Sequence, residues 1–328
     1  MIDTKQKLID WYKRLLNSSF SSIESNFAIF MNYFNDNHLC QSILIEAENT
    51  LSEDVKENLK CKKTNDLWEF QSITKDSREK VLYAHNYILK NIYQNIKDKP
   101  NRSIIGFIQS LGCGNFDSQL REFVEEYVKP LLDYLTDKIE DANNMLYLLE
   151  KYKKDKEWFY RKQFFEQYVS ENRSEEFLDM DLRKFLFDNG IEFPFSKHNT
   201  PSGIPDVVAN LGQKNNLVLE IKLIDTEKGY GVKRITEGFG QIVKYANDCN
   251  TPIGYLLVFN ADNRDKEIVI EGEPKSFPAK IHFNKRTFFI IIANINPEGK
   301  SAGKIKYLEY FTISKDDLFK EAERKLVA

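Results

Sequence analysis

The chain has 328 residues, 41% hydrophobic and 13% aromatic, with a formal net charge of −3 and a pI near 6.0. That is enough apolar material for a sizeable core, in a length that suggests two domains or one large one. Without a global basic excess, any contact with nucleic acid has to come from a local patch. Cys40, Cys61, Cys113 and Cys249 are scattered with no CxxC, and the four histidines show no metal-ligand spacing. This speaks against a zinc site or a disulfide framework and fits a reducing cytosol. No apolar run approaches the ~20 residues of a membrane span. The first sixteen residues, MIDTKQKLIDWYKRLL, read as a charged amphipathic helix rather than a signal peptide, so a cytoplasmic protein is expected.

Residues 1–160 read as helical. Leu8, Tyr12, Leu15 and Leu16 share one face, and a second helix is expected over 23–34. Val81, Tyr83, Tyr87, Ile88 and Ile92 continue the period, and Phe123, Val124, Tyr127, Leu131, Leu132 and Leu135 form another stripe. Pro130 lies inside that stripe and should kink or split it. Gly112-Cys113-Gly114-Asn115 lacks the GK[ST] of a phosphate-binding loop and reads as a helix connection. Residues 150–162, EKYKKDKEWFYRK, read as a charged helix that joins two domains. Its lysines and Arg161, with Trp158 and Tyr160, offer a track for a phosphate backbone. The plainer reading is a solvated connecting helix balanced by Glu150, Asp155 and Glu157.

From Ser174 the pattern changes to mixed α and β. Ser174 can cap a helix over 174–189 whose stripe is Leu178, Leu182, Phe185 and Leu186, with Glu175 one turn ahead on the same side. A strand is expected over 191–195. Residues 202–224, SGIPDVVANLGQKNNLVLEIKLI, read as two apolar strands joined by the polar turn 212–216. A helix over 234–248 follows, with a core stripe of Ile235, Phe239, Ile242, Val243 and Ala246 and a second stripe of Arg234, Gly238, Gln241 and Tyr245. Residues 253–259 and 287–295 read as buried strands, and apolar strands on both sides of a helix imply a parallel crossover. Residues 277–283 and 304–313 are weaker strands, and Ser314 with Asp317 opens a last helix over 315–327.

The hairpin carries the chemistry. Folded about its turn, it sets Asp206 opposite Glu220, within a residue or two, and Glu220 and Lys222 point to the same side of their strand. Unpaired buried charge is costly, and facing carboxylates repel unless a cation lies between them. Carboxylate oxygens suit Mg²⁺ or Mn²⁺, and a lysine beside such an ion can orient or deprotonate a water.

Pro205-Asp206 and Glu220-Ile221-Lys222 resemble the signature of the PD-(D/E)xK, or restriction-endonuclease-like, nucleases. Gln241-x-x-x-Tyr245 is similar to the QxxxY motif of their RecB-like and lambda-exonuclease-like members. The resemblance covers roughly 174–295 and implies an αβββαβ core: a mixed central sheet flanked by helices, over 161–328, behind an all-helical domain at 1–160. It implies Asp206, Glu220 and the Ile221 carbonyl as ligands of Mg²⁺, with Mn²⁺ able to substitute. Lys222 would act on the attacking water, with Glu175 assisting. Gln241 and Tyr245, with Lys233 and Arg234, would meet the substrate. Some families carry a further acid before the PD strand, where this chain has Lys197 and His198. The expected function is a metal-dependent nuclease on DNA, with RNA as the alternative substrate, in the manner of bacterial restriction or anti-phage nucleases. The helical domain would serve recognition, oligomerisation or a partner protein. The rival is a catalytically inactive nuclease fold that binds nucleic acid or acts as a scaffold.

Overall fold

The computed structural model describes residues 2–49, 51–53, 78–98, 104–111, 114–191, 207–210, 216–299 and 308–327. It divides into two compact units, Met1–Asn143 and Asn144–Ala328. No helix among the described residues is long and apolar enough to cross a membrane.

The first unit is helical. It contains α1 (Ile2–Leu16), α2 (Ile23–Asp36), α3 (His38–Asn49), α4 (Arg78–Asp98), α5 (Ile104–Gln109), α6 (Phe116–Phe123) and the first part of α7 (Lys129–Lys154). Its core is aromatic: Phe27 meets Phe123 edge-on, and Phe107 meets both Phe123 and Tyr127. Asn115 caps α6 by accepting from the Ser118 N–H. Pro130 neither breaks nor ends its stripe, because a π turn at Val124–Val128 precedes it. A proline ring collides with the carbonyl four residues back, and a wider turn relieves that contact.

The second unit is a mixed sheet between helical layers. It begins with the end of α7, a π turn at Asp155–Phe159, α8 (Arg161–Ser170) and α9 (Glu175–Asp188). There follow β1 (Val207–Asn210), β2 (Asn216–Ile224), α10 (Lys233–Asp248), β3 (Ile253–Asn260), β4 (Lys266–Ile270), β5 (Ala279–Phe283), β6 (Arg286–Asn294), β7 (Glu309–Ile313) and α11 (Lys315–Val327). The main sheet has the order β1-β2-β3-β6-β5. Its centre, β2-β3-β6, is parallel, and β1 and β5 are antiparallel edges. A second, parallel pair joins β4 and β7. The expected crossover through α10 is present. β4 was not foreseen, and the strand expected over 191–195 lies outside the described residues beyond Ile191.

Alternation on β2 assigns its two faces. Val218 and Ile224 share a core with Ile235, Phe239 and Ile242 of α10, Leu256 and Val258 of β3, and Leu318 and Ala322 of α11. On the opposite face Phe259 meets Tyr152 and Phe164, and Tyr152 meets Phe185.

The segment 150–162 is therefore not simply a solvated linker, and three of its basic residues are paired within the protein. Tyr152, Glu157 and Arg161 are buried. Lys153 pairs with Glu157, Lys156 with Asp181, and Arg161 with Asp265. These contacts place the segment with the C-terminal sheet, ahead of the boundary expected at 160.

Candidate functional site

β2 holds the centre of the site. Val207 pairs with Leu219 and Val208 with Val218, the register that an Asp206–Glu220 pairing requires. Asp206 itself lies outside the described residues. Glu220 and Lys222 lie between the buried Val218 and Ile224 on the α10 face, at only 2% and 5% exposure. Lys222 Nζ donates to Glu220 Oε1 at 2.5 Å and to the Ile221 carbonyl at 3.0 Å. An ammonium thus stands where these two oxygens converge. Separately buried, each charge would cost several kcal/mol, but paired and hydrogen-bonded they are tolerated.

Glu175 reaches the same strand from the opposite layer. Ser174 caps α9 by accepting from the Glu176 N–H, which leaves Glu175 in the first turn facing β2. Among the described residues β1 pairs no further along β2 than Leu219. Beyond that point Glu175 Oε1 accepts the Leu223 N–H at 3.1 Å. The same oxygen accepts from Arg234 Nη2 at 2.5 Å. Arg234 belongs to α10, so this pair joins the two helical layers around one edge of β2. Burial lowers the Arg234 pKa, but the hydrogen bond and charge of Glu175 outweigh it and hold the group above its ordinary value. The guanidinium also lies over the Tyr230 ring at 4.9 Å. Lys233, one residue earlier, is exposed and approaches Glu237 at 3.9 Å.

The second stripe of α10 differs from the expectation. Gly238 faces the protein: a Cβ there would fall 2.6 Å from Lys222 Cγ and 3.0 Å from Leu256 Cδ1. Its lack of a side chain makes room for the Lys222 stem, not for a substrate strand. Tyr245 is 6% exposed and belongs to the hydrophobic core, whereas Gln241 is half-buried. Gln241 and Tyr245 therefore do not share one solvent-facing stripe. α11 packs on α10 along another face, the one that carries Gly240. A Cβ at Gly240 would lie 3.1 Å from the Glu321 carbonyl of α11, so the two helices approach closely there.

Asp225, just past the end of β2, is a buried anchor. It accepts from Tyr168 Oη at 2.8 Å, Arg173 Nη1 at 2.9 Å and the Glu227 N–H at 3.1 Å. Asn172 and Arg173 both have positive φ, 56° and 54°, in the tight connection between α8 and α9. Tying Arg173 to the end of β2 fixes the chain two residues before Glu175. Glu157 was likewise missed: its carboxylate accepts the Asn294 N–H of β6 at 2.6 Å. Glu157 stands before Trp158-Phe159 and Asp225 follows the apolar run of β2, and periodicity alone reads such acids as surface or loop.

An oxygen-only donor set suits Mg²⁺ or Mn²⁺. Glu220 and the Ile221 carbonyl fit that chemistry, because they already converge on a single cationic atom. No group of three or more His, Cys, Asp or Glu side chains that could hold a metal occurs among the described residues. Comparison of the chain with protein-family models, curated proteins and solved structures found no match.

Proposed function

We propose that the C-terminal unit is a Mg²⁺-dependent nuclease of the PD-(D/E)xK kind that hydrolyses phosphodiester bonds of nucleic acid, DNA before RNA. The observation that carries this reading is the buried Glu220–Lys222 pair, centred on β2, with the Ile221 carbonyl turned to the same point. The order α9, β1, β2, α10, β3, with β2 and β3 parallel, supports it, since it matches the αβββαβ order of the resemblance apart from the first strand, which falls outside the described residues.

Glu220 and the Ile221 carbonyl, with Asp206, would hold the ion. When bound, Mg²⁺ polarises a phosphoryl oxygen and makes a bound water more acidic. Lys222 has a mobile proton donor on a stem fixed by Gly238, and it would orient the attacking water and offset charge on the phosphoryl group. Glu175 would assist from the strand edge, and half-buried Gln241 would meet the substrate. The helical unit would serve recognition, assembly or a partner, and a role in restriction or phage defence is proposed by analogy.

The second reading is an inactive nuclease fold that binds or scaffolds. It is favoured by the ion pair in which the Lys222 ammonium neutralises Glu220. Incubating the chain with linear, circular and single-stranded DNA and with RNA, with and without Mg²⁺, separates the two. Cleavage that requires Mg²⁺ and is lost in Glu220→Gln supports the nuclease, and no cleavage of any substrate supports the scaffold.

A further inference from the structure

We infer that Arg234 is a phosphate receptor held in reserve by Glu175. The inference rests on the nuclease reading for its ligand, a nucleic-acid phosphodiester.

Four observations lead to it. Glu175 does not need Arg234 to stay in place, because its Oε1 also holds the Leu223 N–H and its helix is capped by Ser174. Arg234, in turn, is incompletely satisfied in this pair: its Nε is buried and has no hydrogen-bond partner among the described residues. A buried donor left unmade is costly. A phosphate, with several oxygens in reach of one guanidinium, satisfies Nε–H and Nη–H together, as a fork-to-fork contact. Third, the Tyr230 ring under the guanidinium limits its plane, and Glu237 Oε2 at 3.8 Å offers only a distant second acid. Fourth, both partners reach solvent, with the Arg234 side chain 26% and the Glu175 side chain 35% exposed. A pair at that exposure contributes little to stability and is open to competition.

Without substrate, Arg234 thus neutralises Glu175 at the edge of β2, three residues from Glu220 along the strand. With substrate, the guanidinium turns to the phosphate and leaves the Glu175 carboxylate on the Leu223 N–H. One arginine serves two anions in turn, and the acid sets how tightly the nucleic acid is held.

The test is binding of a labelled DNA oligonucleotide, single- and double-stranded, to the full chain in EDTA, where cleavage does not compete, across a salt series. Arg234→Gln is expected to weaken binding and reduce the slope of log affinity against log salt by about one. Glu175→Gln keeps an oxygen for the Leu223 N–H but releases the arginine, so it should tighten binding several-fold. The double variant should bind like Arg234→Gln alone, because the gain passes through the arginine. Arg234→Lys, which keeps the charge and loses the fork, should fall between. Inorganic phosphate should compete with wild type more strongly than with Arg234→Gln. Wild-type binding and slope in Arg234→Gln and Arg234→Lys, or equal weakening by Glu175→Gln, would make the pair purely structural and overturn the inference. In that case Mg²⁺-dependent cleavage by wild type would leave the nuclease reading standing. A wild-type chain that binds no oligonucleotide overturns both.

Discussion

Gly238 and Lys222 occupy each other's space. A Cβ built on Gly238 would fall 2.6 Å from Lys222 Cγ, closer than real Cβ contacts come. The lysine is buried with its Nζ on Glu220, so its stem cannot swing away without breaking that pair. Gly238→Ala should therefore displace the ammonium. The added helix propensity, about 1 kcal/mol, opposes an overpacking cost of about 1–3 kcal/mol, so stability should change little. Cleavage should fall far more than stability. A variant that melts as wild type and cleaves at its rate would show that the position of Lys222 does not matter.

Removing the ammonium should expose what the pair is for. Lys222→Met leaves Glu220 buried without its cation, at a cost of about 3–5 kcal/mol in metal-free buffer. Mn²⁺ should restore more stability to this variant than it adds to wild type, since the Glu220 oxygen is then open to the ion. Thermal unfolding with and without Mn²⁺ measures both, and kcat should fall by about 10²-fold or more. If Mn²⁺ stabilises neither chain, Glu220 is not a metal ligand.

Gln241 and Tyr245 should separate under alanine substitution. Tyr245 lies in the core shared by α10, α11 and the sheet, so Tyr245→Ala should cost about 3–5 kcal/mol, as buried aromatic truncations do. Gln241→Ala should cost under about 1 kcal/mol and act on cleavage instead. Urea unfolding of the two variants beside a cleavage assay decides the matter. Equal destabilisation would assign both residues to packing.

His85, in the helical unit, sets a pH dependence. Burial lowers its pKa from 6.5 to about 4, with Tyr127 edge-on to its ring. Below about pH 6.5 the unfolded chain takes up a proton that the folded chain refuses, so stability falls with pH from there and levels off below about 4. The full loss is about 3 kcal/mol. Urea unfolding at pH 7 and pH 5 should show part of it, and His85→Gln should have the smaller difference. An equal pH difference in both chains would place the titration elsewhere.

How far the sequence reached follows from which interactions are local. Periodicity and capping residues placed α9, α10 and α11 within a residue or two and put β2, β3 and β6 in the interior, because helix and strand signals are written into neighbouring residues. The hairpin register, and with it the shared side of Glu220 and Lys222, also followed from alternation and turn length. Tertiary structure decided the rest. α11 comes from the far end of the chain and closes on α10 at Gly240, and Tyr245, expected to meet substrate, lies in the core instead. The meeting of Glu175 with Arg234 joins two helices from opposite layers, 59 positions apart, and neither helix records the other in its own pattern. Gly238 is small because Lys222 lies beneath it, and Asp225 is buried because Tyr168 and Arg173 come to it from α8 and the connection after it. Such contacts are fixed by how layers close around the sheet, and a single sequence carries the residues that allow them without saying which ones will meet.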